Sequence, residues 1–184
     1  MNYKDYQNAR DMAWEILIQE GITELPVNIL LLCRRLGVES RYYVPGNEGD
    51  GKSMMFRDVP YILVSKSCTT ARQKFTAAHE LGHVLLGHTG KYALVNREPS
   101  PNDNPIEQAA NVFASRLLAP ACVLWGCGVT RAEDIAALCG ISMQSAEYRM
   151  KRMEELYQRN KFLTSPLERQ VYAQFEGFIK NHRL

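Results

Sequence analysis

The sequence predicts an α+β domain: a small antiparallel or mixed three-stranded sheet surrounded by helices, with a helical hairpin on the C-terminal side. Three observations lead to this fold class. Apolar residues near the N-terminus recur every three or four positions, as in an amphipathic helix. The period shortens to two over residues 38–44, as in a strand with one buried face. Helical spacing returns near residue 70 and dominates the rest of the chain.

The N-terminal segment predicts two helices. The first covers about residues 2–20 and ends at Gly21, and the second begins at Pro26 and ends at Gly37. The first helix has one apolar face, made of Tyr6, Ala9, Ala13, Ile16 and Leu17.

Three strands follow the helices. They are predicted at residues 38–44, 53–56 and 61–65, and the last two are joined by a turn near Arg57-Asp58. The run Ile62-Leu63-Val64 is continuously apolar, which predicts that the third strand is covered on both faces.

The run His79-Glu80-Leu81-Gly82-His83 spells H-E-x-x-H within a predicted helix. Residues four apart lie on the same face of a helix, so His79 and His83 are predicted to bind one metal ion through their imidazoles. The carboxylate of Glu80 lies beside them and is predicted to be a general base that takes a proton from water. The alternative is a pair of hydrogen-bonded surface histidines.

The flanks of this motif support a packed helix. Thr70 and Gln73 have the spacing of a capping box. Gly82 costs about 1 kcal/mol of helix propensity relative to Ala, which predicts that another element packs closely there. His88 lies five residues after His83, off the ligand face, and is predicted to be a structural residue at the helix end rather than a ligand.

The third ligand is predicted from a helix that follows a long, proline-containing loop at residues 90–105. Asn104-Pro105 is a helix-start signal, and Glu107 and Asn111 then share one face. Glu107 is predicted to be the third metal ligand. Asn111 is predicted to form a hydrogen bond that orients a ligand imidazole. The alternative for Glu107 is a capping-box partner of Asn104. Ala110 and Ala114 form a stripe of small residues, which lets this helix approach a neighbouring helix closely.

Two runs together resemble the ImmA/IrrE family of metallopeptidases over about residues 25–155. They are Arg72–His88, which contains H-E-x-x-H, and Glu107-x-x-Ala110-Asn111-x-Phe113-Ala114-x-x-Leu117-Leu118-x-Pro120. One departure is Ala109, where many members carry a second acidic residue; this leaves Glu107 as the unambiguous acidic candidate.

The resemblance implies a zincin-like fold and a zinc-dependent endopeptidase of mobile genetic elements or stress regulons. Such proteins cleave a helix-turn-helix repressor. It also implies one Zn²⁺ per chain, with His79, His83 and Glu107 as ligands, the last in gluzincin fashion, and Glu80 as general base. Rival functions are a non-catalytic metal-binding regulator that binds a transcription factor or DNA, and a hydrolase of small amides.

The predicted organisation has three parts: an N-terminal helix at residues 1–24, a metallopeptidase core at 25–128, and a helical region at 129–184 packed on the core. The last part contains a helix-turn-helix-like hairpin and a terminal helix. Its hairpin is predicted from a capping box at Thr130, a helix end at Gly140 and a cap at Ser142.

The hairpin has two interpretations, a DNA-binding module or a packed pair of helices that docks the protein substrate. Acidic residues interleave with the basic ones, which opposes phosphate binding and favours docking. The basic residues are Arg149, Lys151, Arg152, Arg159 and Lys161. A single amphipathic helix is predicted from Pro166 to the C-terminus, with Leu167, Val171, Phe175 and Phe178 on one face.

Composition bounds the remaining classes. The 184 residues include 22 basic and 20 acidic side chains, and a net charge of +2 argues against a protein that binds phosphate backbones. Neither a membrane span nor a signal peptide is predicted, and the expected location is the cytoplasm. All five cysteines are predicted to be reduced and mostly buried.

The residue that would stabilise the oxyanion of a peptidase reaction is left open by the sequence. The candidates are His88, Tyr42, Tyr43 and Tyr61.

Overall fold

The computed structural model describes residues 1–44, 49–91 and 104–184. It confirms the α+β class. The predicted loop at residues 90–105 lies mainly outside the described residues. The elements are α1 (Tyr3–Gln19), α2 (Ile29–Arg35), β1 (Glu39–Tyr43), β2 (Gly51–Phe56), β3 (Val59–Ser65), α3 (Thr70–Leu85), α4 (His88–Lys91), α5 (Pro105–Leu118), α6 (Ala121–Gly126), α7 (Ala132–Cys139), α8 (Met143–Gln158), α9 (Pro166–Gln174) and α10 (Glu176–Asn181).

The chain divides into two compact units. Unit 1 comprises Met1–Met12 and Asn28–Ala114, and unit 2 comprises Ala13–Val27 and Ser115–Leu184. Unit 1 therefore contains the sheet and the helix that carries H-E-x-x-H, whereas unit 2 contains the helices from α6 onward.

The sheet of unit 1 is mixed, with the strand order β1-β3-β2. Strand β1 is parallel to β3, and β2 is antiparallel to it. Arg57 and Asp58 form the two-residue turn between β2 and β3, as predicted, and both have positive φ (48° and 62°). Ile62 and Val64 are buried, but Leu63 on the opposite face is only half-buried. Both faces are thus covered, as predicted, but the face that carries Leu63 is covered less completely.

The N-terminal cap of α3 is Thr69, one residue before the predicted Thr70. The Oγ1 atom of Thr69 accepts the backbone N–H of Arg72 at 3.3 Å. Gln73 makes no capping box with it; its amide donates to the carbonyl of Ser65 at 3.2 Å. The Gln73 side chain, which was predicted to belong to a capping box, thus connects the start of α3 to the end of β3 by a hydrogen bond.

At Gly82, α3 packs closely against α5. A Cβ atom at this position would lie 2.9 Å from Cδ1 of Phe113, a fully buried residue of α5. This confirms the prediction of close packing. Ala110 and Ala114, the small residues of α5, are also fully buried.

The predicted end of the first helix is confirmed, whereas the predicted start of the second helix is wrong. Helix α1 ends before Gly21, which has a φ of 59°. Helix α2 begins at Ile29 rather than at Pro26, because Asn28 is its N-cap and the Asn28 Oδ1 atom accepts the N–H of Leu31 at 3.1 Å.

In unit 2, the connection between α7 and α8 is the one predicted. Gly140 ends α7 in the left-handed conformation, and the Ser142 hydroxyl accepts the N–H of Ser145 at 3.2 Å. The predicted capping box at Thr130 is wrong. Helix α7 begins one residue later than that box requires, with Arg131 as an N-cap that makes no side-chain cap bond.

The predicted C-terminal helix is two helices, since the chain bends at Phe175 between α9 and α10. Phe175 is fully buried and its ring meets that of Phe178 edge to face, with centroids 6.3 Å apart. The bend lets both aromatic rings enter the interior of unit 2.

The segment Pro105–Gly126 is long and apolar enough, by length and composition, to cross a membrane. However, 67% of its most apolar window is buried inside the protein, which is typical of a core helix. The cysteines are free thiols, and four of the five are buried. Burial raises the pKa of both Cys33 and Cys122 to about 12, so these thiols remain protonated at neutral pH.

Candidate metal centre

Helix α3 holds His79 and His83 one turn apart, with their rings edge to face. The ring centroids are 4.7 Å apart and the two Nε2 atoms are 3.0 Å apart. Because the spacing of four residues places side chains above one another, the helix alone accounts for this pairing. Both Nε2 atoms therefore point at the same volume.

Glu107 reaches this volume from α5. Its Oε2 atom lies 3.0 Å from Nε2 of His79, and its Oε1 atom lies 3.3 Å from Nε2 of His83. The cap of α5 is supplied by Asn104, whose Oδ1 atom accepts the N–H of Ile106 at 2.9 Å. The capping-box alternative for Glu107 is not what the structure shows, because its carboxylate meets the two imidazoles.

We call His79, His83 and Glu107 the metal cluster. Contact with the His79 and His83 rings lowers the pKa of the Glu107 carboxyl, against the opposing effect of its burial. Glu107 is therefore an anion at neutral pH. All three ligand atoms lie within 4.8 Å of one another, and no other group of this kind occurs among the described residues. Two imidazole nitrogens and one carboxylate oxygen are a donor set that fits a zinc ion.

Asn111 contacts the outer side of the first ligand. Its Oδ1 atom lies 2.9 Å from Nδ1 of His79. A proton on Nδ1 satisfies this bond and leaves the lone pair of His79 on Nε2, which faces Glu107. The structure thus places Asn111 where it holds the imidazole of His79 in a metal-binding tautomer.

Glu80 is almost fully buried, with 3% of its surface exposed. Its carboxylate lies against the first residue of β2, because a Cβ atom on Gly51 would be 3.1 Å from Oε1 and would overlap Thr76 Cγ2. Only glycine at position 51 lets the strand approach α3 so closely without a shift in its neighbours. Contact between β2 and this carboxylate was not predictable from the sequence, because it depends on how the strand packs on α3.

The structure assigns other contacts to the remaining candidates. The Nδ1 atom of His88 lies 3.0 Å from Nδ1 of His83, on the side of that ring away from the metal cluster, which agrees with a non-ligand role for His88. The Tyr43 hydroxyl donates to the carbonyl of Gly49, and the Tyr61 ring packs against Phe56. Tyr42 is an exposed residue of β1.

One predicted surface residue is in fact internal. Arg149, expected on a docking face, is only 3% exposed, and its Nε atom donates to the carbonyl of Ala119 at 2.7 Å. Glu168 is also buried and accepts the N–H of Thr164 at 2.9 Å. The charges of both residues act on the Cys122 thiol. We call Cys122, Arg149 and Glu168 the buried polar cluster; their burial follows from packing that helical periodicity does not report.

Comparison with known families assigns the chain. The model of peptidase family M78, described as the IrrE N-terminal-like domain, matches residues 33–151 and so covers more than half of the sequence. This segment contains all three residues of the metal cluster and Glu80. Among curated proteins, the comparison finds no match. On the strength of the family match, the chain belongs to the IrrE N-terminal-like peptidases, a family of metallopeptidases.

Proposed function

We propose that this protein is a cytoplasmic, zinc-dependent endopeptidase that cleaves a helix-turn-helix transcriptional repressor. The observation that carries the proposal is the convergence of two imidazoles and one carboxylate on one point, with a buried glutamate adjacent to them on the same helix. Structural histidine pairs have no need of a carboxylate base beside them. The family match supports a peptidase reaction.

His79, His83 and Glu107 would hold the metal ion. A bound zinc ion polarises a carbonyl oxygen and lowers the pKa of a water molecule to about 7. Nitrogen and oxygen donors of this kind also accept nickel, so the choice of zinc rests on the donor set and on the family. Asn111 keeps the Nε2 lone pair of His79 available to the ion.

Glu80 moves the proton. Its carboxylate takes a proton from the attacking water while the water oxygen bonds to the peptide carbonyl carbon. As the C–N bond breaks, Glu80 transfers the same proton to the nitrogen of the leaving amine. Burial of the side chain favours this role, since few water molecules compete for the carboxylate.

Strand β2 supports a peptide as the substrate. In the described part of the chain it pairs with β3 alone, so its other edge carries backbone groups that no strand satisfies. Asp50 O accepts the N–H of Ser65 at 2.9 Å, and the alternation of an antiparallel pair then directs the backbone groups of Gly51, Ser53 and Met55 outward. An extended peptide can add to such an edge by main-chain hydrogen bonds.

The same strand begins at the proposed catalytic base. Gly51, which has backbone groups on the open edge, lies against the Glu80 carboxylate. A peptide added to β2 would therefore pass close to Glu80. Exposed apolar side chains farther along β2, on Met55 and Phe56, suit the apolar residues of a protein substrate.

A repressor as the substrate rests on the family resemblance, as does an origin in a mobile genetic element. The second candidate function, a non-catalytic regulator, is favoured by one observation, the helix-turn-helix connection between α7 and α8. Glu80 opposes it, because a regulator that only binds metal has no use for a buried base at that position.

The test compares the wild-type chain with Glu80→Gln. Each purified protein is analysed for zinc and incubated with the helix-turn-helix repressor encoded beside it. We expect one zinc per chain in both proteins and a fall in cleavage rate of about 10²–10⁴-fold in the variant, since only the base is lost. Glu147→Gln, a change at an exposed position of α8, is the matched control and should cleave normally. Equal cleavage by wild type and Glu80→Gln would exclude the proposed mechanism.

A further inference from the structure

We propose that His88 is a positioning residue for the metal centre. In this proposal, Nδ1 of His88 accepts a hydrogen bond from the Nδ1–H of His83 and so fixes the ring orientation and the tautomer in which His83 presents Nε2 to a metal ion. The inference rests on the proposed metal site and adds to it a residue that acts through His83.

The direction of the contact requires His88 to be the acceptor. On one side of the His83 ring, Nε2 lies 3.3 Å from Oε1 of Glu107 and 3.0 Å from Nε2 of His79. A nitrogen that faces this cluster needs its lone pair to bind a cation, so the proton of neutral His83 must be on Nδ1. On the other side of the ring, that Nδ1 atom lies 3.0 Å from Nδ1 of His88.

Burial makes this acceptor necessary. His83 is 1% exposed, so bulk water has no access to its Nδ1–H. A buried N–H group without an acceptor is costly, and ligand imidazoles commonly donate their second N–H to a fixed partner. Asn111 occupies the corresponding place on His79 through an amide oxygen. The two ligand histidines thus have two chemically different partners.

Gly87 brings His88 back to this position. In a continuous helix, five residues would rotate a side chain about 140° away from His83. Instead α3 ends at Leu85, the N–H of Gly87 donates to the carbonyl of Val84 at 3.1 Å, and Gly87 has a φ of 73°. Glycine adopts this left-handed conformation readily, and the resulting turn sets the first residue of α4 against the ring of His83.

The experiment uses two substitutions that differ in one property. His88→Asn keeps an acceptor, because the Oδ1 atom of Asn lies about where Nδ1 of His does, whereas His88→Leu removes it. Zinc affinity of the full chain is measured by competition with a chromogenic chelator. We expect His88→Leu to weaken zinc binding about 10–100-fold and His88→Asn to recover most of the loss. His182→Leu, at an exposed histidine of the C-terminus, should bind zinc as the wild type does.

A second readout separates positioning from folding. The visible absorption of the cobalt-loaded protein reports ligand geometry, and we expect it to change in His88→Leu but to match the wild type in His88→Asn. The unfolding temperatures of the metal-free proteins identify any variant that fails to fold, in which case His88→Ala replaces His88→Leu with the same expectation.

The outcomes are distinguishable. Unchanged zinc affinity in His88→Leu, or equal loss in His88→Asn and His88→Leu, would overturn the role of His88 and leave the metal centre intact. A wild-type chain that takes up no zinc, cobalt or nickel would overturn the metal centre and this inference with it.

Discussion

The metal cluster of unit 1 and the buried polar cluster of unit 2 both contain charged side chains that are partly or fully buried, but their polar atoms contact different partners. In unit 2, Arg149 donates to the Ala119 carbonyl and Glu168 accepts the N–H of Thr164. In unit 1, the two Nε2 atoms face each other at 3.0 Å and both meet the Glu107 carboxylate.

This difference separates a binding site from a structural cluster. The charged groups of unit 2 bond to backbone groups, and the Ala119 carbonyl that Arg149 contacts belongs to a buried residue, so these bonds stabilise the chain that surrounds them. The acceptors of unit 1 converge on one point, and only a proton or a cation placed there satisfies all three. Substitutions in the two clusters should therefore affect different quantities.

Glu107→Gln should have the largest effect on metal binding. It removes an anionic ligand while keeping the shape of the side chain, and we expect zinc affinity to fall by more than the roughly 10–100-fold that is typical for the outer partners of ligands. The metal-free protein should unfold near the wild-type temperature. Chelator competition and thermal unfolding of the metal-free chain check this. Full zinc occupancy at wild-type affinity would identify Glu107 as a structural residue. The metal cluster would then not differ in function from the buried polar cluster.

Arg149→Met should show the opposite pattern. Loss of the buried guanidinium leaves the Ala119 carbonyl without its donor, and we expect the free energy of unfolding to fall by about 1.5–3 kcal/mol. Zinc affinity should stay unchanged. Urea denaturation of the metal-free protein measures the loss.

Arg152→Met is the matched control on the same helix. Arg152 forms an exposed ion pair with Glu155, and such pairs contribute about 0–1 kcal/mol. If Arg149→Met were as stable as Arg152→Met but cleaved its substrate poorly, Arg149 would be a docking residue and its buried position would need another explanation.

Gly51→Ala should destabilise the protein less than Arg149→Met does, and it tests the packing of β2 against α3 in unit 1. The added methyl group would overlap Thr76 Cγ2 and crowd the Glu80 carboxylate, and overpacking of this kind costs about 1–3 kcal/mol. The lower end applies, since a single methyl group is added. Thr76→Ser removes Cγ2, so the double variant should recover stability. Urea denaturation of the single and double variants tests this; no recovery in the double variant would locate the strain elsewhere.

The sequence was sufficient where neighbouring residues decide the outcome. The pairing of His79 and His83 follows from the pitch of one helix, and the caps at Gly140 and Ser142 follow from the preferences of the residues present. Predictions of this kind failed by one to three residues, as at Thr69, where adjacent threonines offer equivalent caps.

Contacts between distant segments were only partly predictable from the sequence. Glu107 had two local roles, cap or ligand, and the packing of α5 on α3 at Gly82 brings its carboxylate to the imidazoles. Arg149 belongs to a helix whose periodicity shows a basic, apparently solvated residue, and the fold of unit 2 buries it.

The sequence by itself determined the fold class, the pairing of His79 with His83 and the position of Glu80 beside them, because helix geometry and residue chemistry act over a few positions. Only the tertiary structure decided that β2 begins at Glu80, that His88 returns to His83, and that Arg149 is internal. The physical reason is common to all three. Each depends on where the chain goes after a glycine or a helix end, and the burial of apolar surface over the whole unit sets that course.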